Sequence, residues 1–164
     1  MSVWYEVEKS EDGIINFMEC NWYFHDFLIG QASYFPAKQM VELLMEYDTP
    51  NDNIILRFLK IKDFHFQTFD NPCDSMIFGS ILKLSKDGCF SWYSSDDCPE
   101  NDEELKNNST WVEAENIIWA ITDENGNPSE LPEDKINQVW NNYGNTEYKH
   151  FQLKEYSGDK EAAM

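Results

Sequence analysis

The stretch NWYFHDF, residues 21 to 27, puts an imidazole and a carboxyl at adjacent positions, His25 and Asp26, inside a run of aromatics. Brought together in space, such a pair could orient a general base and activate a nucleophile. Whether they meet depends on the backbone beneath them. The chain from Tyr23 to Tyr34 reads as extended, and successive side chains of a strand point to opposite faces. His25 then lies with Tyr23, Phe27 and Ile29, and Asp26 with Phe24 and Leu28, so both sides are partly buried. A carboxylate in such surroundings is costly without a partner. The chain has one arginine, Arg57 in the apolar stretch IILRFLKI, and its planar fork suits a carboxylate. The expectation is a structural ion pair between Asp26 and Arg57, with no catalytic residue. The alternative is a pocket holding His25, His65 and aromatics, in which His25 or Asp26 acts as acid or base for a small-molecule binder or hydrolase.

Other constellations carry less. His65 and His150 have no second histidine or cysteine at ligand spacing, so no zinc or other metal site is expected. The nucleophile-elbow, P-loop and dinucleotide fingerprints do not occur. Seven glycines leave little for a phosphate cradle, and no cofactor is expected. Carboxylates are so numerous that some pair falls at glycosidase spacing by chance. In the turn Asp123 to Asn127 the glycine stands at the fourth position, where a calcium loop needs it at the sixth. The six tryptophans are scattered through candidate elements, where tryptophan is more often core than part of a sugar-stacking platform.

The elements that must position these residues follow from periodicity. VWYEVE (3 to 8) alternates as a strand, while SEDGIINFME (10 to 19) sets Ile14, Phe17 and Met18 at helical spacing behind a Ser10 cap. VELLMEYD (41 to 48) puts Val41, Leu43, Met45 and Tyr47 on one face, and Thr49-Pro50-Asn51-Asp52 turns it back into NIILRFLKI (53 to 61). DFHFQTF continues as β. IFGSILKLS and CFSWYS form a hairpin around Asp87-Gly88, and WVEAENIIWAIT (111 to 122) is a further strand. Between Leu131 and Gly144, Ile136, Val139, Trp140 and Tyr143 follow Pro132 at helical spacing, and HFQLKEY (150 to 156) closes the set as a strand. The fold class is mainly β, a β-rich α+β domain: an antiparallel sandwich or strongly curved sheet with one or two short helices. It spans residues 1–156 as a single domain, and residues 157–164 are expected to fray.

Of the 164 residues, 12 are basic and 31 acidic, for a net charge of −19 spread through both halves. Such a surface repels phosphate backbones and anionic lipid, which argues against nucleic acid and membrane and for a basic protein partner. The start MSVWYEVEKSEDG lacks the basic and apolar regions of a secretory signal, so a cytoplasmic location is expected. In that reducing compartment Cys20, Cys73, Cys89 and Cys98 read as packing residues or thiols. Six carboxylates crowd into residues 96 to 104. Asp96, Asp97, Glu100, Asp102, Glu103 and Glu104, with Trp92 and Tyr93 as exposed aromatic anchors, form the expected contact surface of a non-enzymatic binding protein.

Five stretches together carry a resemblance: NWYFHDFLIGQASY, MVELLMEYD, IILRFLKIKDFHF, FGSILKLSKDGCFSW and WVEAENIIWAI. The pattern resembles a loose group of small bacterial "FHDF" proteins of the immunity-like and orphan type, found near polymorphic toxins. Where that pattern has a basic residue after FHDF, this chain has Leu28. The resemblance implies a mainly β fold with no catalytic residues to carry over. It bears on the fold more than on any activity; taken with the acidic charge, the expectation is an immunity protein whose partner is a basic toxin such as a nuclease.

Overall fold

Two strands of 12 residues each, Ile54–His65 and Trp111–Thr122, lie side by side at the centre of the sheet. Both are dense in β-branched and aromatic residues, which favour a pleated, buried surface. The computed structural model to which they belong describes residues 3–48, 52–69, 76–97, 101–131 and 153–163. In chain order the elements are β1 Tyr5–Glu6, α1 Glu11–Cys20, β2 Leu28–Phe35, β3 Met40–Glu46, β4 Ile54–His65, β5 Ile81–Leu84, β6 Phe90–Tyr93, α2 Asp102–Asn107, β7 Trp111–Thr122, β8 Pro128–Ser129 and β9 Lys154–Glu155.

All strands join one antiparallel sheet whose main path runs β2-β3-β4-β7-β1-β9. β4 borders β7 along its length, so β6, at Trp111 to Ala114, β1, at Ile118 and Trp119, and β8, at Ile121 and Thr122, share the other edge. β5 then extends β6. An isolated bridge from Leu28 to Met76 ties the head of β2, at one end of the sheet, to the segment entering β5 at the other. The sheet is therefore strongly curved, and the expected mainly β architecture is the observed one.

The concave side holds the main core. Val41, Leu43 and Met45 of β3, Ile54, Leu56 and Phe58 of β4, and Ile117, Trp119 and Ile121 of β7 alternate into it. α1 adds Phe17, Met18 and Cys20, and its start is fixed by Ser10, whose hydroxyl accepts the Gly13 N–H at 2.9 Å. No helix among the described residues is long and apolar enough to cross a membrane.

The convex side differs from expectation. Arg57 lies there, buried, and its Nε donates to Glu42 Oε2 at 2.7 Å, not to Asp26. Glu42 and Arg57 are direct cross-strand partners in β3 and β4. The guanidinium stacks over Trp4 at 4.3 Å, and its Nη1 donates to the Ala162 carbonyl at 2.6 Å. That last bond corrects the expected fraying from residue 157. Residues Lys160–Ala163 form a 3-10 turn, and Ala162 and Ala163 pack with Trp4, Ile55, Ile118 and Ala120. The outer face of the sheet is apolar at these positions and needs a cover.

A second difference is α2, since a run so dense in carboxylates ordinarily forms a solvated loop and here it forms a helix. Asn101 caps it by accepting the Glu104 N–H at 3.0 Å, and Asp102, Glu103 and Glu104 occupy the first turn, where the helix dipole favours carboxylates. Leu105 packs against Tyr93 and Trp111. The expected helix between Leu131 and Gly144 falls outside the described residues apart from Leu131 itself, and the expected last strand is represented by β9.

Lys106 of α2 meets Glu113 at 2.7 Å and lies over Trp111 at 4.3 Å. The hydrogen bond to Glu113 raises the Lys106 pKa. Burial raises those of Tyr5, Tyr93 and Tyr156 above the usual phenol value. All four groups hold their protons more tightly folded than unfolded. Their stability contribution is complete below the unfolded values of about 10 and is lost as pH rises through the folded ones. Urea midpoints are therefore expected to hold between pH 8 and about pH 9.5 and to decline above pH 10. A midpoint that rises in alkali would contradict these environments.

Candidate functional site

The segment from Asn21 to Phe27 is a turn, which corrects the strand expected there. After α1 the chain passes through Trp22, Tyr23 and Phe24 at φ 56°, 55° and 57°, three consecutive left-handed residues without a glycine. The N–H of Phe24 bonds the Asn21 carbonyl at 2.9 Å and that of His25 bonds the Trp22 carbonyl at 3.0 Å. Asp26 is also left-handed, at φ 66°. Each such residue costs about 1 kcal/mol, so the surroundings must impose the conformation.

Three contacts do so. The Phe24 ring is fully buried and meets Phe17, Phe27 and Trp92 with centroids 5.7, 5.4 and 6.3 Å away. The N–H of Asp26 donates to the Ile77 carbonyl, and the N–H of Ile77 to the Phe27 carbonyl, both at 2.9 Å. The Ser80 hydroxyl donates to the Tyr23 carbonyl at 3.1 Å. The turn thus drives Phe24 inward and leaves Trp22, Tyr23, His25 and Asp26 outside.

His25 and Asp26 do not diverge. Nδ1 of the imidazole lies 3.0 Å from Asp26 Oδ2, with the two side chains 59% and 51% exposed. An imidazole oriented by a carboxylate is the base half of a nucleophile-activating triad. Among the described residues, however, no hydroxyl or thiol hydrogen-bonds to His25. The pocket expected around His25 and His65 is not assembled. β4 begins at Ile54, near the head of β2, and His65 ends it on exposed surface. A cleft between α1 and β1, lined by Glu8, Gly13, Phe17 and Trp119, has about 10 Å³ of free space, the room one water needs. No three His, Cys, Asp or Glu residues among those described gather at metal-binding distance. An ion pair as open as His25–Asp26 contributes about 0–1 kcal/mol. Asp26→Asn, which tolerates a left-handed backbone, is expected to shift urea stability by less than about 1 kcal/mol.

The turn borders a second exposed segment. Around Ile77, which is buried, Met76 and Phe78 face solvent, Phe78 with 69% of its surface open. Trp22 and Tyr23 stand across the hydrogen bonds that join the two segments, and both are more than two-fifths exposed. A Cβ on Gly79 would fall 3.0 Å from that of Asp96. The glycine thereby lets Asp96, followed by Asp97, pack beside this apolar group, and both aspartates are exposed. Asp96 thus lies beside the segment of Phe78, while the aromatics expected beside the carboxylates are placed elsewhere. Trp92 and Tyr93 are 0% and 2% exposed and are core residues. Asp102, Glu103 and Glu104 are exposed in α2, with Asp102 held by Lys83 at 2.6 Å, and Glu100 lies outside the described residues.

Comparison with protein-family models, curated proteins and solved structures finds no match to this chain.

Proposed function

We propose that the protein is a non-enzymatic binding protein that takes a basic protein partner on the surface of Trp22, Tyr23, Met76 and Phe78, with Asp96 and Asp97 beside them. One observation carries this reading: a turn that costs backbone energy leaves Trp22 and Tyr23 exposed next to the segment where Phe78 is open and Asp96 lies beside Gly79, on a chain of net charge −19. Clustered exposed apolar groups mark interaction sites. Strained backbone persists where the surroundings and a function over-determine it. The acidic field steers a cationic partner and sets the association rate, while the aromatic anchors set the dissociation rate.

The likeness to the FHDF group suggests the biological form, a cytoplasmic immunity protein that occupies the substrate surface of a cationic toxin such as a nuclease. Partner residues recognised here would be lysines and arginines around an apolar patch. Affinity capture from the host cytoplasm tests this reading. The wild type is expected to retain a basic protein at low salt, and Phe78→Ala to weaken that retention about 30-fold or more, the effect of losing one anchor worth about 2 kcal/mol. Equal retention by Phe78→Ala and Trp22→Ala would remove this surface from consideration.

A further inference from the structure

We infer that the open edge of β2 receives an extended basic segment of the partner as an added strand. This inference rests on the binding role proposed above and names the form of what binds. β2 pairs with β3 on one side. On the other, among the described residues, the bridge from Leu28 to Met76 occupies the head of the strand alone. From Ile29 to Phe35 that side offers backbone donors and acceptors with no described partner.

Proteins protect such edges with lysines, prolines or inward charges, because an unprotected edge templates pairing with another chain. The sequence IGQASYF (29 to 35) contains no charge and no proline. A bulge at Gly30 is its one irregularity. A Cβ at Gly30 would fall 2.3 Å from Glu46 Cδ, so the glycine lets the Glu46 carboxyl lie across the strand. With Asp26 before β2, this places two carboxylates near the first half of the edge. Tyr34 and Phe35 are exposed at its other end. Every exposed large apolar side chain among the described residues thus lies on β2, on the turn feeding it, or on segments beside it. Tyr47, stacked on Phe27 at 4.9 Å, belongs to the same group.

The occupant follows from charge. Two copies of a chain at −19 repel each other, whereas a strand carrying lysine or arginine at alternate positions brings main-chain pairing and opposite charge together. A synthetic peptide alternating lysine and valine serves as the probe. A second peptide has alternate amides N-methylated so that it cannot pair. The first is expected to slow hydrogen exchange of the β2 amides that do not bond to β3 by about tenfold or more, and the second to leave them unchanged. Gln31→Lys, on the exposed edge, is expected to weaken the first peptide at least tenfold with unaltered urea stability. Unchanged β2 exchange, or undiminished binding to Gln31→Lys, overturns the inference. If Phe78→Ala still impairs capture of the native partner in that case, the binding surface stands and the edge alone is excluded. Protection of the same amides by self-association without peptide also overturns it, in favour of a second copy.

Discussion

Phe24→Ala is expected to remove about 3–5 kcal/mol of stability, the range for losing a buried aromatic ring, and to abolish partner binding in whatever molecules remain folded. The ring is 0% exposed, the one buried side chain among the turn's left-handed residues, and it packs against Phe17, Phe27 and Trp92. Its burial offsets the backbone cost of Trp22, Tyr23 and Phe24 at positive φ. Without it the hydrogen bonds to Ile77 and from Ser80 must hold the turn unaided. Phe24→Leu keeps much of the apolar volume and is expected to cost less than half as much. Urea unfolding measures both. A loss below about 1 kcal/mol for the alanine variant would mean that the turn is fixed by something other than this ring.

Arg57→Ala is expected to cost about 3 kcal/mol and to release the C-terminal segment. The guanidinium joins three elements at once: Glu42 of β3 at 2.7 Å, Trp4 at 4.3 Å and the Ala162 carbonyl at 2.6 Å. Removing it strands a Glu42 side chain that is only 26% exposed and opens a void over Trp4. Glu42→Gln retains an acceptor and is expected to cost about 1 kcal/mol. Limited proteolysis should cut Arg57→Ala near residues 157 to 163 under conditions that leave the wild type intact. A tail equally resistant in both proteins would show that Ala162 and Ala163 are held by their apolar contacts alone.

The sheet was legible because its strands alternate cleanly. Val41, Leu43 and Met45 against Ile54, Leu56 and Phe58 define both the hairpin and its face. The same hairpin contains the true partner of Arg57, since counting outward from Thr49-Pro50 brings Glu42 opposite Arg57. Asp26 would need the arginine only as a buried strand residue, and the turn instead leaves its side chain 51% exposed. The turn itself left no local signal. Left-handed residues are ordinarily announced by glycine or asparagine, and Trp22, Tyr23 and Phe24 are neither. Burial of Phe24 and pairing with Ile77, both long-range, decide the conformation.

α2 was disguised by composition, because Asp102, Glu103 and Glu104 read as a solvated charge run. Asn101 before three carboxylates is nonetheless an N-cap followed by an acidic first turn. Once α2 is present, Leu105 covers Tyr93 and Trp111, while Trp92 faces the main core against Phe24 and Phe58, so both anchors expected in CFSWYS are buried. The exposed anchors come instead from Phe78 and Met76, whose orientation depends on Ile77 being drawn inward by the turn.

The most direct test of the central claim is the rate at which the basic protein retained from the host cytoplasm associates with this chain as ionic strength rises. Between about 0.01 M and 0.15 M salt the rate constant is expected to fall at least tenfold, because screening shortens the reach of the acidic field. Phe78→Ala is expected to show the same salt dependence with faster dissociation. An association rate indifferent to salt, or a Phe78→Ala complex that dissociates no faster than wild type, would contradict recognition by a joined acidic and aromatic surface.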